Sequence, residues 1–330
     1  VVARLQGSKP GKKLVLNGHV DVVPPGENWT VDPFGALVKG GNIYGRGTCD
    51  MKSGVATMLM AMVDFKRSGK PFSGEIICQA VADEETGSEM GTIHLLENGI
   101  GAGADFAICT EPTSLRIELG NRGLRWIDIT VKGTASHAGR PHLGVNSIAY
   151  AARLVEAIQS MRFTACNDFF EVPYPSISVT QINGGHTINV IPERCDLSVD
   201  RRMLPGETFD DVMAQLQAVI DEVKAENEAL EIEARVRKGY WDPYLIAVEE
   251  PVVQANITAF RRVMGTEPTI GSKGACTDAS HLANIGKIPT VLFGPGNERM
   301  SHKADECVSI DALVQATEIY SLMFEELLGD

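Results

Sequence analysis

Histidine and carboxylate residues repeatedly follow short apolar runs in this sequence. Those that do so are His19, Asp21, Glu84, Glu85, Glu111 and His302. Apolar runs of this length indicate buried strands, and open α/β sheets bind ligands at the carboxyl edge of their strands, so we expect these side chains to meet. Asp50 lies in a glycine-rich turn before a predicted helix and would join them. Two histidines with carboxylates and no thiolate form a ligand set for zinc or a similar divalent ion in a catalytic role.

Each of these residues taken alone has an ordinary explanation. A pair such as His19 and Asp21 is usually satisfied within the surface or the core, and the acidic run 83–85 is typical of a solvated turn. His302 beside Lys303 is typical of a surface histidine. If these residues only formed a solvated surface, there would be no reason for several strand ends and a glycine-rich turn all to carry the residue types that bind metal ions. The set as a whole therefore favours a metal site.

The order of predicted elements indicates two domains. Apolar runs alternate with helical patterns over the first third of the chain, which predicts a mostly parallel α/β sheet. The helix predicted over 55–66 is apolar nearly all round, with Ser53 as its N-cap and Gly69 as its stop. From about residue 122 the order becomes strand, helix, strand, strand, helix, strand, which is the ferredoxin-like arrangement. We predict an α/β domain split over residues 1–121 and 236–330, with a second domain inserted at 122–235.

Composition excludes several classes of protein. The 330 residues carry a formal net charge of −13, which repels polyanions and argues against nucleic-acid binding. The longest apolar stretch, 55–63, is far shorter than the ~20 residues of a membrane span. Seven dispersed cysteines without a C-x-x-C pair fit a reducing compartment, so we predict a cytoplasmic protein. No glycine fingerprint of a dehydrogenase follows a strand. Val1 lies within a predicted strand, so we expect a segment before it.

Several ordered motifs resemble one known family over essentially the whole chain. They are GHVDVVPP (18–25), GRGTCDMKSG (45–54), ADEETGS (82–88), SHAG (136–139), NVIP (189–192) and GPG (294–296). These motifs resemble the acetylornithine deacetylase, succinyl-diaminopimelate desuccinylase, aminoacylase and carboxypeptidase G family of co-catalytic zinc metallohydrolases. The resemblance implies a catalytic α/β domain interrupted by a smaller lid and dimerisation domain.

The resemblance also implies roles for the clustered residues. It implies two divalent metal ions, with zinc as the leading choice and cobalt or manganese as alternatives. The ligands would be His19, Asp50 and Glu111 for one ion and Asp50, Glu85 and His302 for the other. Glu84 would be the general base and Asp21 the carboxylate that fixes the tautomer of His19. The peptide bond after Asp50 would be cis.

In the inserted domain the resemblance selects three further residues. It implies that His137 stabilises the tetrahedral oxyanion, often in the active site of the partner subunit. It implies that Arg202, rather than its neighbour Arg201, binds a substrate carboxylate, and that Asn189 contacts substrate. It also implies a homodimer formed through this domain.

The function predicted from these residues is hydrolysis of a linear amide bond. The motifs at 24–29 and 51–54 are most similar to those of the deacetylase and desuccinylase branch, which predicts an N-acyl amino acid as the small-molecule substrate. A dipeptidase or carboxypeptidase of the same family is the close alternative. A binding protein without catalysis on the same scaffold would be favoured by a missing base or ligand, and the sequence lacks neither.

Overall fold

The computed structural model describes residues 1–329. Its strands are β1 (Val2–Gln6), β2 (Lys9–His19), β3 (Leu37–Lys39), β4 (Asn42–Tyr44), β5 (Ser73–Val81), β6 (Phe106–Cys109), β7 (Ile117–Asn121), β8 (Gly123–Lys132), β9 (Ser136–His137), β10 (Ser176–Gly184), β11 (Val190–Ile191), β12 (Arg194–Met203), β13 (Glu231–Trp241), β14 (Tyr244–Leu245), β15 (Ile270–Lys273), β16 (Thr290–Leu292) and β17 (Cys307–Ser309). Its helices are α1 (Ser53–Ser68), α2 (Thr92–Glu97), α3 (Ser147–Ser160), α4 (Phe209–Lys224), α5 (Pro251–Met264), α6 (Ala279–Asn284) and α7 (Ile310–Leu328).

The chain divides into two compact units. Unit 1 comprises Val1–Asn121, Phe169–Glu171 and Tyr244–Asp330, and unit 2 comprises Arg122–Asp168 and Val172–Pro243. We predicted the return to the first domain at residue 236, which lies inside β13. The register of its pairing with β8 shifts between Val236 and Tyr240. Residues 236–243 thus belong to unit 2 of the structure, whereas the predicted first domain resumes at 236.

Unit 1 is built on a mixed sheet with a parallel centre. The strand order is β1-β5-β2-β6-β16-β7-β14, and β15 also pairs with β7. The four central strands, β5, β2, β6 and β16, run parallel to one another, whereas β1 pairs with β5, and β7 with β16 and β14, in antiparallel fashion. The predicted mostly parallel α/β sheet is therefore confirmed. The carboxyl ends of these four strands meet at one edge of the sheet.

The apolar runs of the central strands are buried on both faces. Leu14 and Leu16 of β2 belong to the core on the side of α1, α5 and α7, whereas Val15 between them packs in the opposite core with Ile77 and Leu282. All three β2 residues are fully buried. Each such side chain contributes about 1.5–3 kcal/mol on burial, so the strand ends are firmly held.

Helix α1 begins and ends differently from a simple capped helix. Gly69 ends it in the left-handed conformation at φ 66°, as predicted. Ser53 is its first helical residue rather than its N-cap, and the Ser53 hydroxyl donates a hydrogen bond to Cys49 O at 3.3 Å. The predicted cap was wrong because an irregular turn over Thr48–Lys52 leads directly into the helix.

Unit 2 is an antiparallel sheet covered by two helices. Its strand order is β10-β12-β8-β13, and all neighbours are antiparallel. With α3 after β8 and α4 after β12, this is the predicted ferredoxin-like order. Alternate residues of β8 and β12 are buried against both helices. The other face carries ion pairs such as Arg237 with Asp128, at 2.7 Å.

No helix within residues 1–329 has both the length and the apolar character needed to cross a bilayer.

Candidate metal centre

The predicted cluster forms at the carboxyl edge of the parallel strands of unit 1. His19 is the last residue of β2, Glu84 lies three residues after β5, and Glu111 lies two residues after β6. Since β5 and β6 both pair with β2, these ends are adjacent. His19 Nε2 lies 3.8 Å from Glu84 Oε2 and 3.7 Å from Glu111 Oε1. His19, Glu84 and Glu111 therefore lie close together at this edge of the sheet.

Asp50 lies between the two histidines of the cluster. Its Oδ1 is 3.2 Å from His19 Nε2, and its Oδ2 is 3.5 Å from His302 Nε2. His302 Nε2 also lies 3.1 Å from Glu85 Oε1. Each carboxylate oxygen of Asp50 therefore faces a different histidine.

These distances define three overlapping groups of potential ligands. Within each group, one ligand atom per residue lies within 4.8 Å of the others. The groups are His19, Asp50 and Glu111; Asp50, Glu85 and His302; and His19, Glu84 and Glu85. The first two are the sets that the resemblance implied. The third shows that Glu84 borders the same space.

The donor set and its charge fit divalent cations. Nitrogen and carboxylate oxygen donors without sulfur suit zinc and similar ions in catalytic sites. Burial, with the nearby charge of Asp50, raises the pKa of Glu111 to about 8, and burial also raises the pKa of Glu84. The ionised form of both carboxylates would be favoured by additional positive charge nearby. A divalent cation would supply it.

Two glycines allow the backbone segments of the centre to approach closely. A Cβ on Gly54, in the first turn of α1, would lie 2.0 Å from Thr110 O. A Cβ on Gly294, after β16, would lie 2.4 Å from Glu111 O. The start of α1, directly after the Asp50 turn, and the segment after β16 can both pack against the backbone of residues 110–111 only because these two side chains are absent. The peptide bond between Asp50 and Met51 is cis, as the resemblance implied.

Asp21 contacts the outer nitrogen of His19. His19 Nδ1 is 3.0 Å from the main-chain oxygen of Asp21 and 3.5 Å from its carboxylate Oδ1. Asp21 Oδ2 also accepts a hydrogen bond from Glu85 N at 3.1 Å. A proton on Nδ1 directed at Asp21 leaves Nε2 to face Asp50 and Glu111 with its lone pair.

Sequence reasoning missed two buried charged residues around the centre. Glu306 is fully buried and accepts hydrogen bonds from the backbone of the Asp50 turn. Lys273, at the end of β15, is 4% exposed; its Nζ donates to Pro112 O at 2.8 Å and lies 4.0 Å from Glu111 Oε2. Neither residue follows an apolar run in a ligand-like pattern. Their closeness to the site depends on pairings between distant segments.

Three candidate residues, His137, Asn189 and Arg202, belong to unit 2. His137 in β9 pairs with Val190 of β11, and Ala138 N donates to Asn189 O at 2.9 Å, so the two loops run side by side. His137 is exposed, and its Nδ1 accepts a hydrogen bond from Gly139 N at 3.0 Å.

The two adjacent arginines of unit 2 differ in environment. Arg201 is 1% exposed, forms an ion pair with Glu207 and lies over the ring of Phe163 at 4.2 Å. Arg202 is partly exposed and donates to Asp200, at 2.8 Å from Nε and 3.1 Å from Nη2. Of the two, Arg202 is the side chain that solvent reaches.

Comparisons with known proteins find members of one family. The sequence profile of Peptidase family M20/M25/M40 matches residues 15–326. The succinyl-diaminopimelate desuccinylase of Dechloromonas aromatica is 32% identical over 325 residues, which cover 96% of this chain and 83% of that protein. The protein of the same name from a Psychrobacter species is 33% identical over 322 residues, with 94% and 78% covered.

Solved structures show the same fold. An M20 family metallo-carboxypeptidase from Sulfolobus solfataricus superposes with a TM-score of 0.84 at 20% identity, covering 99% of this chain and 87% of that one. A dinuclear metal-binding M20 peptidase from Bacillus subtilis superposes with a TM-score of 0.74 at 17% identity, covering 98% and 83%.

The fold, the site and these relatives define a metal-dependent hydrolase of amide bonds. The chain belongs to Peptidase family M20/M25/M40. The predicted family and the predicted class of reaction are thereby confirmed.

Proposed function

We propose that this enzyme removes the acyl group from an N-acyl amino acid of the succinyl or acetyl type, using two divalent metal ions. The names of its relatives support the substrate class, because desuccinylases with 31–33% identity align with nearly the whole chain. The observation that carries the proposal of two ions is Asp50, whose two oxygens face different histidines.

We assign one ion to His19, Asp50 and Glu111 and the other to Asp50, Glu85 and His302, with zinc as the leading choice and cobalt or manganese as alternatives. When bound, such a pair of ions polarises water and lowers its pKa towards ~7. Each ion would have one histidine, its own glutamate and a share of Asp50. Both ligand groups meet the geometric requirement of converging donor atoms.

Glu84 is the proposed general base. It is buried, it borders the centre at 3.8 Å from His19 Nε2, and the two assigned ligand sets leave its carboxylate free. Its carboxylate would take a proton from the water that adds to the amide carbonyl carbon. The same proton would pass to the nitrogen as the carbon–nitrogen bond breaks, giving a carboxylic acid and a free amine. Burial raises the pKa of Glu84, which brings it closer to the working pH of a base.

The proposal extends to three residues of unit 2. His137 would donate a hydrogen bond to the oxyanion, and Arg202 would bind a substrate carboxylate in exchange for Asp200. Asn189, beside the His137 segment, would contact substrate. These roles rest on the family resemblance, together with the exposure of His137 and Arg202. We also propose a homodimer formed through unit 2 and, because the seven cysteines are dispersed along the sequence without a C-x-x-C pair, a cytoplasmic location.

A substrate panel with metal analysis tests the proposal. We expect about two divalent ions per chain and turnover of N-succinyl or N-acetyl amino acids in preference to dipeptides. Preference for dipeptides would instead identify a peptidase of the family. A chain that binds no divalent ion would refute the proposed centre.

Glu84→Gln tests the assignment of the base. We expect kcat to fall about 10²–10⁴-fold with both ions retained, because the variant keeps the shape but cannot accept the proton. Glu75→Gln is the matched control: Glu75 is also a buried glutamate, but it lies at the amino end of β5 in an ion pair with Arg4. Full activity in Glu84→Gln would refute the role.

A further inference from the structure

The turn that presents Asp50 is held by a residue distant in sequence. Glu306 Oε1 accepts hydrogen bonds from Cys49 N at 2.8 Å and from Asp50 N at 3.0 Å. These two amides lie in the irregular turn before α1, which has no side-chain cap of its own. One carboxylate oxygen therefore fixes the backbone of the residue shared by both ligand groups.

The other carboxylate oxygen of Glu306 contacts Arg46, and this contact holds the Glu306 side chain in place. Glu306 Oε2 forms an ion pair with Arg46, and the side chains are 0% and 2% exposed. Arg46 also donates to Pro25 O at 3.0 Å and lies over the ring of Trp29 at 5.3 Å. Replacing a buried ion pair by apolar side chains is often neutral or stabilising, so fold stability alone gives little reason for this arrangement.

We propose that Glu306 is a positioning residue of the metal centre. It holds the Asp50 turn so that Oδ1 faces His19 and Oδ2 faces His302, and Arg46 keeps Glu306 in place. The inference rests on the proposed function in one respect, since it takes Asp50 as the ligand shared by two ions. Glu306 itself contacts the backbone of Asp50 and acts through that residue.

Unit 2 contains a matched ion pair. Glu207 forms a buried pair with Arg201, and the other oxygen of Glu207 accepts a hydrogen bond from Leu204 N at 2.8 Å. The chemistry is the same: one oxygen contacts an arginine and the other a backbone amide. The proposed ligands of the ions all lie in unit 1. Removing this pair therefore measures how much such an ion pair contributes to the stability of the fold, without removing a contact to the backbone of a proposed ligand.

The test compares two double variants, Arg46→Met/Glu306→Met and Arg201→Met/Glu207→Met. Each removes one positive and one negative charge, so the net charge of the chain stays the same. Zn²⁺ affinity is measured by competition with a chromophoric chelator, and the melting temperature of the metal-free protein is measured in parallel. We expect the first variant to lose affinity for both ions by about 10–100-fold, the usual effect of removing a residue that orients a ligand. The second should keep its affinity within about twofold, because Arg201 and Glu207 hold no backbone of a proposed ligand.

Wild-type Zn²⁺ affinity in Arg46→Met/Glu306→Met would overturn the proposal, as would an equal loss in both double variants. If the first double variant does not fold, Arg46→Leu/Glu306→Leu replaces it, because leucine also lacks an oxygen that could accept from the two amides, and an unchanged affinity there overturns the proposal in the same way. The visible spectrum of bound Co²⁺ gives a second readout, which should change in the Glu306 variants only. Failure of the proposed function is distinguishable, because the wild-type protein would then bind no pair of ions.

Discussion

The two halves of the candidate centre differ in burial and in the elements that carry them. The side chains of His19 and Glu111 are 1% and 4% exposed, and both follow central strands of the sheet. His302 is 51% exposed and Glu85 is 13% exposed. His302 lies in a loop, where its backbone has a φ of 63°. One half is thus built on the sheet and the other on turns.

This difference predicts unequal binding of the two ions. Charges attract more strongly where water is excluded, and ligands held by buried strands need little ordering on binding. The half with His19 and Glu111 should therefore bind its ion more tightly. The half with Glu85 and His302 should exchange its ion more readily with solvent. Asp50 belongs to both halves and links their affinities.

Asp50→Asn should have the largest effect. The variant removes the charge shared by the two halves, so we expect both ions to be lost and turnover to fall below detection. Metal analysis after gel filtration, with an activity assay, measures this. Asp64→Asn is the control, since Asp64 is a half-exposed aspartate of α1 remote from the strand ends. Retention of one tightly bound ion in Asp50→Asn would show that one half functions without the shared ligand.

The histidines test the two halves separately. His302→Ala should retain about one ion per chain, because the buried half keeps all three of its ligands. His19→Ala should bind neither ion tightly, since it removes the ligand that the sheet holds in place. Calorimetric titration of both variants with Zn²⁺ gives the number of sites and their affinities. Equal losses in the two variants would contradict the unequal halves.

The buried half was the more predictable part of the site. The carboxyl ends of neighbouring parallel strands lie at the same edge of a sheet. The apolar runs before His19 and Glu111 therefore already predict the approximate positions of these two residues. His302 follows β16 after a loop of several residues, and no periodicity gives the course of that loop. We could therefore predict the sheet edge at which His302 lies, but not its contacts with Glu85 and Asp50.

The residues that hold the site in place were the least predictable. Ser53 has the residue type and position of an N-cap, but the amides before α1 are bound by Glu306 from 256 residues further along the chain. Local rules describe contacts within a few residues, whereas this contact depends on how distant segments pack. For the same reason the sequence did not predict the position of Lys273, which lies at the end of β15 and donates a hydrogen bond to Pro112 O, next to Glu111.

Metal removal from the wild-type protein should proceed in two phases. Brief treatment with a dilute chelator should leave about one ion per chain, because the half with exposed His302 releases its ion first. Metal content and activity measured over time separate the phases, and His302→Ala should lack the fast one. A single phase with simultaneous loss of both ions would mean that Asp50 couples the halves more strongly than burial separates them.

Asp21→Asn should have the smallest effect and should act on the buried half. His19 Nδ1 is closer to the main-chain oxygen of Asp21 than to its carboxylate. The variant therefore keeps the contact with the main-chain oxygen and loses only the negative charge of the side chain. We expect Zn²⁺ affinity of the buried half to fall about 10-fold, at the lower end of such effects. Asp105→Asn is the matched control, because Asp105 accepts a backbone hydrogen bond from Lys13 N as Asp21 does from Glu85 N. A larger loss in the half with His302 would show that Asp21 acts through Glu85, whose amide it holds, rather than through His19.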